Sequence, residues 1–367
     1  MGIYTGRIIR LDFGEPSFPC PPEVKAESIK YITNPDCYYS PIKGENQLLE
    51  NIKQYLLNVR NIKVKKELIT VTSGGLRGIN SIIRCLKNEG VKRVYYPDPG
   101  FPPYQFLGDY NDIEMLSYPI ENEKDAVRAL IFLAKTSSEK SSAFILTSPN
   151  NPNGITFSQA SWEILNESMI KQYIICDNSF ESFIFREEND CLPPIGENIF
   201  HAFSFSKSFS MADYRVGYVI SPSIKWSEVV SRDHWFTQLS TSVISQKAAI
   251  GALNCKSDYL YNTKNAVLTN LVSSVNLLST ARIETTLPEG GFFLWVNIED
   301  TECNSDEFVR YALEKYKVSL ISGSSFGENG NGYVRINCAT DHLALEEGLD
   351  RFIQCYKERA SRNEYIL

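Results

Sequence analysis

Lys207 lies in Ser204-Phe205-Ser206-Lys207, Arg215 follows shortly after it, and Asp177 closes the apolar run Ile174-Ile175-Cys176. A lysine amine condenses with an aldehyde to give a Schiff base. A carboxylate can keep a pyridine nitrogen protonated, and hydroxyls with a guanidinium can hold a phosphate. Aldehyde, pyridine nitrogen and phosphate are the three handles of pyridoxal 5'-phosphate (PLP), so these segments together describe a site for that cofactor. Asp177 also reads as a helix N-cap after a strand, but a carboxylate drawn out of water is costly unless a cation meets it.

Three further loops could complete such a site. Ser73-Gly74-Gly75 separates a strand pattern at 68–72 from a helix pattern at 76–86, so its amides and the helix dipole could cradle a phosphate. The same turn is also a common strand-to-helix connection, and no G-x-G-x-x-G or Walker pattern supports a nucleotide. In Ser148-Pro149-Asn150-Asn151-Pro152-Asn153-Gly154 the Asn151 amide could donate to the cofactor's phenolic oxygen, although Asn, Pro and Gly also make ordinary turns. Phe101, in a proline-rich loop ending at Tyr104, could stack on the ring. Gly323-Ser324-Ser325-Phe326-Gly327 matches the G-x-S-x-G elbow of serine hydrolases. That chemistry needs a downstream acid and histidine on separate loops, whereas His342 directly follows Asp341, so the hydrolase reading is set aside.

These loops need a scaffold, and the chain alternates helix and strand patterns as an α/β fold with a mainly parallel sheet does. Strand-like runs at 68–72, 91–96, 113–118, 143–147, 173–176, 199–204 and 215–220 each meet residues that favour loops. The segment 45–59 carries Leu48, Leu49, Ile52, Tyr55, Leu56 and Val59 at helical spacing. Beyond residue 258 a long helix pattern leads into strands at 292–296, 318–321 and 333–338 with helices at 305–316 and 343–359. The expectation is a large domain at 45–257 and a smaller α/β domain made of 1–44 and 258–367.

Composition narrows the partners. The 367 residues are 43% hydrophobic and 12% aromatic with net charge -7, which is globular and unsuited to nonspecific nucleic-acid binding. Apolar stretches are too short to span a bilayer and no secretory h-region is evident, so the expected compartment is the cytoplasm. The nine cysteines lack metal-ligand spacing and read as reduced thiols, and the three histidines read as structural, so no metal is expected.

Taken together, the chain resembles the class I/II aminotransferases, the fold-type I PLP-dependent transferases. The resemblance runs from Leu11-Asp12-Phe13-Gly14-Glu15-Pro16 through Tyr39-Ser40-Pro41, Pro99-Gly100-Phe101-Pro102, Cys176-Asp177-Asn178 and Arg215-Val216-Gly217-Tyr218 to Gly332-Tyr333-Val334-Arg335. It implies a large mixed, mainly parallel sheet domain with a smaller α/β domain. It implies that Lys207 forms the internal aldimine and then moves the substrate's α-proton, with Asp177 on the pyridinium. Asn151 would serve the phenolic oxygen and Phe101 one ring face. Ser73, Gly74, Gly75, Ser204, Ser206 and Arg215 would surround the phosphate, with Tyr39 reaching in from a second subunit of a homodimer. Arg335, with Gly14 and Asn151 nearby, would bind the substrate carboxylate through a two-pronged contact.

Three positions depart from the family pattern. Phe180 stands where many members carry a tyrosine that bonds the phenolic oxygen, Gly75 lacks a hydroxyl some relatives offer, and Asp213 replaces a usual glycine. The expected reaction is transfer of an amino group between an amino acid and a 2-oxo acid in amino acid metabolism. The alternative, prompted by Phe180, is a PLP-dependent decarboxylase, oxidase, cyclase or elimination enzyme on the same scaffold.

Overall fold

The computed structural model describes residues 6–34, 38–138, 140–186, 193–256 and 258–361. After a two-residue strand β1 (Ile9–Arg10), the chain builds one large sheet. Its strands are β2 (Ile69–Thr72), β3 (Arg93–Asp98), β4 (Glu114–Pro119), β5 (Ser142–Thr147), β6 (Tyr173–Asp177), β7 (Ile199–Ser204) and β8 (Gly217–Ile220). They lie in the order β2-β8-β7-β6-β5-β3-β4. Neighbours from β7 to β4 pair in parallel, whereas β8 is antiparallel to both β7 and β2. One strand therefore runs against all the others.

The central strands are buried on both faces, which is why they read as continuous apolar runs rather than alternating ones. Helices cover the faces. Helix Gly75–Asn88 buries Ile79, Ile82, Ile83 and Leu86 among sheet residues such as Val94, Ile145 and Ile175. Helix Asn46–Arg60 buries Leu48, Leu49, Ile52, Tyr55 and Leu56, but Val59, expected on the same stripe, is exposed. The strand expected at 215–220 starts only at Gly217, because Arg215 takes a left-handed backbone with φ of 50°.

A second unit is built from β9 (Phe293–Asn297), β10 (Val318–Ser319), β11 (Ile321–Ser322) and β12 (Tyr333–Asn337). β11, β12 and β9 form an antiparallel sheet, while β10 pairs in parallel with β1. The single strand expected at 318–321 is thus two, divided at the buried Leu320 and serving two sheets. Helices Tyr259–Thr280 and His342–Ser361 close this core around Leu271, Phe292, Leu294, Val334, Ile336 and Phe352. The helix expected over 305–316 is α-helical only to Tyr311; a wider π turn over Ala312–Tyr316 carries Tyr316 inward to the Glu358 carboxylate. No described helix is long and apolar enough to cross a membrane. The seven described cysteines are free thiols, and Cys37 and Cys191 lie outside the described residues.

Beneath the sheet edge an Arg60–Glu181 ion pair is buried. Tyr55 donates to Glu181 Oε1 at 2.8 Å and Ser208, next to Lys207, donates to it at 3.2 Å. Arg60 also donates to Ser182 at 2.9 Å, and Ser182 donates to Ser208 at 2.7 Å. Removing one member of a buried pair leaves an uncompensated charge. Arg60→Met is therefore expected to lower unfolding free energy by roughly 3 kcal/mol. Arg60→Met with Glu181→Leu should recover much of it, as denaturant unfolding of the two variants will show.

Candidate active site

Every sheet-borne residue with a proposed chemical role reaches the same edge. β2 runs into Ser73-Gly74-Gly75, β3 into the loop with Phe101, β5 into the loop with Asn151, β6 ends on Asp177, and β7 leads into Lys207. Because β8 is reversed, its beginning lies at that edge, and Arg215 lies just before it. Such an edge is where loops of an open α/β sheet bind ligands.

A cavity of about 360 Å³ opens there, lined by Gly14, Phe101, Tyr104, Thr147, Asn151, Asp177, Ser179, Phe180, Lys207, Phe326 and Arg335, among others. Lys207 makes no hydrogen bond or ion pair among the described residues. Burial pushes its amine down to about 8; Glu15 opposes the shift, Arg335 and Arg215 deepen it, and Asp177 opposes it again. The result is an amine that loses its proton near neutral pH, as a lysine nucleophile or base needs.

Asp177 is buried and held from two sides. Tyr104 Oη donates to Oδ2 at 2.6 Å, while Ser179 donates to Oδ1 from its backbone N–H at 2.9 Å and from its hydroxyl at 2.5 Å. Burial, then the Asp177 charge, raises the Tyr104 phenol well above its ordinary range, so it stays protonated as a donor. Tyr104, Thr147 and Ser179 were not singled out by sequence reasoning. The available signal was Pro-Pro-Tyr immediately after Phe101, a polar aromatic at the start of helix Pro103–Asn111. Phe101 packs edge-on against Tyr104 with ring centres 5.5 Å apart.

Arg335 is buried at the far wall. It donates to Asn151 Oδ1 at 2.9 Å and to the Asp12 carbonyl at 3.2 Å, and its Nε has no hydrogen-bond partner among the described residues. Phe293 and Phe326 hold the guanidinium at 4.0 and 5.0 Å from their ring centres. Burial pushes it down to about 9, opposed only by Asp12, which is itself paired with Arg10. A desolvated guanidinium with a spare N–H calls for a carboxylate. Gly14 admits one: even a Cβ there would remain 3.7 Å from the guanidinium.

The phosphate-side residues meet around the start of helix Gly75–Asn88, which has no side-chain cap. Gly74 has φ of 95°, and a Cβ on it would lie 2.5 Å from Arg215 Nη2; one on Gly75 would lie 3.4 Å from Ser204 Cβ. Arg215 is exposed and reaches the Ser206 hydroxyl at 3.5 Å, while Ser204 Oγ accepts from the Ser206 N–H at 3.2 Å. Free helix amides, hydroxyls and a guanidinium around a space that side chains would fill fit a phosphate group. Ser179 connects the two regions, lining the cavity and lying 3.5 Å from the position of a Gly75 Cβ. Ser73 points instead to Thr241 at 3.5 Å. Tyr39 is not brought in: it is 77% exposed and borders a separate depression with Tyr31, Ile32 and Val243. Phe180 packs on Phe292 and Phe293 and offers the cavity no hydroxyl. Among the described residues no cluster suited to a metal occurs.

Comparison with known proteins places these features in a lineage. Residues 7–352 match a family model described as aminotransferase class I and II. An aspartate aminotransferase of Pyrococcus horikoshii is 28% identical over 94% of this chain and 89% of its own length. The crystal structure of an aromatic aminotransferase from the same organism superposes with a TM-score of 0.86 at 25% identity, covering 96% of both chains. An aspartate aminotransferase structure from Thermotoga maritima gives a TM-score of 0.84 at 25% identity over 95% and 91%.

The depressed amine can be read directly. In cofactor-free protein, competitive acetylation of Lys207 followed by mass spectrometry is expected to titrate at about 8, below exposed lysines. A Lys207 midpoint matching those lysines would show that burial does not depress it.

Proposed function

We propose, from the premise that this chain belongs to the class I and II aminotransferase family, that Lys207 holds its cofactor and moves the substrate's proton. The chain is an aminotransferase, passing an amino group between an amino acid and a 2-oxo acid, and the family is PLP-dependent. The observation that carries the assignment is a half-buried Lys207 amine, without a partner among the described residues, lining one cavity with a buried carboxylate, Asp177, and a buried guanidinium, Arg335.

When bound, PLP supplies an electron sink for the pair left on the substrate's α-carbon. Lys207 Nζ would be its covalent anchor and, once released, would take the α-proton and return it. Asp177, held in place by donors from Tyr104 and Ser179, would hold a proton on the ring nitrogen. Phe101 would cover one ring face, and Gly74, Gly75, Ser204, Ser206 and Arg215, with Ser73 at the margin, would hold the phosphate. Arg335 would grip the substrate carboxylate, and its bond to Asn151 Oδ1 leaves the Asn151 amide N–H₂ as a donor to the ring oxygen. Residues 45–257 would form the cofactor-bearing domain, with 1–44 and 258–367 forming the smaller one.

The walls also bear on the substrate. Phe101, Pro102, Pro103, Phe180, Ile321 and Phe326 are apolar, and Lys207 and Arg335 are the only cations among the described lining residues. With one guanidinium for the α-carboxylate, this favours an aromatic or large apolar amino acid over a dicarboxylic one, although similar proteins are named for both aspartate and aromatic substrates. Purified holoenzyme is expected to convert phenylalanine or tyrosine to the matching 2-oxo acid, with the cofactor spectrum shifting to its amine form. The kcat/KM should exceed that for aspartate by about tenfold, roughly 1.4 kcal/mol. Lys207→Ala should be inactive. Carbon dioxide release or oxygen uptake without 2-oxo acid would overturn transamination, and a preference for aspartate would overturn the substrate assignment.

The exposed Tyr39, beside exposed Tyr38 and Ile32, fits a residue that completes the site of a second copy. We expect a homodimer in sedimentation velocity, and Tyr39→Phe should weaken PLP affinity several-fold through one lost phosphate bond, about 1 kcal/mol. A monomer with unaltered activity would contradict the shared site.

A further inference from the structure

Asp98 ends β3, immediately before the loop that carries Phe101 and Tyr104, and its carboxylate faces the other structural unit. It is only 6% exposed. Its Oδ1 accepts from the backbone N–H of Asn329 at 3.3 Å. Gly327 comes so close that a Cβ on it would stand 2.1 Å from the same oxygen, and its φ of 127° is one that side chains rarely adopt. Alongside, the Gly100 N–H donates to the Phe326 carbonyl at 2.8 Å, and Asn329 Nδ2 reaches the Asp98 carbonyl at 3.5 Å.

These contacts join two halves of the cavity that come from distant parts of the chain. On one side stand Phe101 and Tyr104, the latter bonded to Asp177. On the other stands Phe326, which covers the Arg335 guanidinium. Loop packing alone does not need a buried carboxylate, which carries a desolvation cost that an apolar side chain would avoid. An acceptor on Asp98 has a specific use: it fixes the backbone of 327–329 against β3, and so fixes where Phe326 stands.

We infer that Asp98 is a positioning residue that locks the loop of Phe326 onto the loop of Phe101 and Tyr104, setting the distance between the carboxylate grip and the ring-binding side of the cavity. The inference rests on the proposed role of Arg335 as the substrate-carboxylate ligand. Gly327 is its required counterpart, because any side chain there would displace the Asp98 carboxylate.

The test is a double-mutant cycle on the holoenzyme, with Arg335→Lys as the control for the underlying reading. Asp98→Ala is expected to raise KM for the amino acid by about tenfold while kcat changes by less than about threefold, since the grip shifts but the reacting groups stay. Gly327→Ala should do the same with Asp98 intact. The double variant should lose less than the sum of the two single ones, because truncating Asp98 removes the clash with the methyl group and leaves only the backbone strain at Gly327. Asp98→Asn, which keeps an acceptor oxygen, should restore KM to within about twofold of the parent enzyme. Additive effects in the cycle, or an unchanged KM in a folded Asp98→Ala protein while Arg335→Lys loses binding, would overturn the lock. If Arg335→Lys leaves KM unchanged, it is instead the assignment of Arg335 that fails. Should Asp98→Ala not fold, Gly327→Ala and Asp98→Asn decide: a parental KM in the first or a raised KM in the second rejects the proposal.

Discussion

Asp177 and Arg335 are buried and Lys207 half-buried at one cavity, yet none of the three is hydrogen-bonded or ion-paired to another among the described residues. Collapse onto one another would relieve much of their desolvation, so the surrounding structure has to keep them apart. It does so with neutral partners. Tyr104 and Ser179 bind Asp177, Asn151 and the Asp12 carbonyl bind Arg335, and two phenylalanine rings flank the guanidinium. Lys207 has no hydrogen-bond or ion-pair partner among the described residues, and burial lowers its proton affinity. A buried network without a counter-ion for each charge is ready for a ligand that brings both an anion and a cationic ring nitrogen.

The sheet supplies the geometry for this. Parallel strands deliver their C-terminal ends to one edge, but that rule alone would leave Arg215 on the wrong side, since it precedes its strand. Running β8 against its neighbours solves the problem, and a left-handed backbone at Arg215 then brings its guanidinium over Gly74. Under the same edge, the Arg60–Glu181 pair ties the turn that follows Asp177 to Ser208, beside Lys207. The two most consequential residues of the site are thus fastened to one buried anchor rather than to each other.

Strand ends were legible in the sequence because Asn, Pro, Gly and Ser mark them in plain composition, and Ser73, Asn151, Asp177 and Lys207 sit at those marks. Strand order was not legible, and what depends on it was missed. Tyr104 reaches Asp177 only because β3 and β6 flank β5, a neighbourhood no local pattern reports. The pairing of Asp98 with Gly327 is hidden for the same reason, and Gly327 looked like part of a hydrolase elbow. The split of 318–321 into two strands followed from partners, β1 and β12, that lie at opposite ends of the chain. Tyr39 shows the limit from the other direction: its motif is local, but the contact it suggests belongs to a second molecule.

Phe180 bears on how the remaining polar groups must work. With no hydroxyl at that position, a donor for the ring oxygen of a bound cofactor would have to come from elsewhere in the lining. The orientation of Asn151 answers this: its Oδ1 is committed to Arg335, and its Nδ2 makes no hydrogen bond among the described residues. A flip of the amide would set N–H against N–H at Arg335, so the guanidinium enforces the direction in which Asn151 donates. Binding a carboxylate to Arg335 would then be felt at Asn151, on the side facing the cofactor. With no hydroxyl at Phe180, Asn151 would be left as the donor to the ring oxygen, coupled through Arg335 to the substrate's own anchor, so that ring electronics and substrate grip would be parts of one hydrogen-bonded unit.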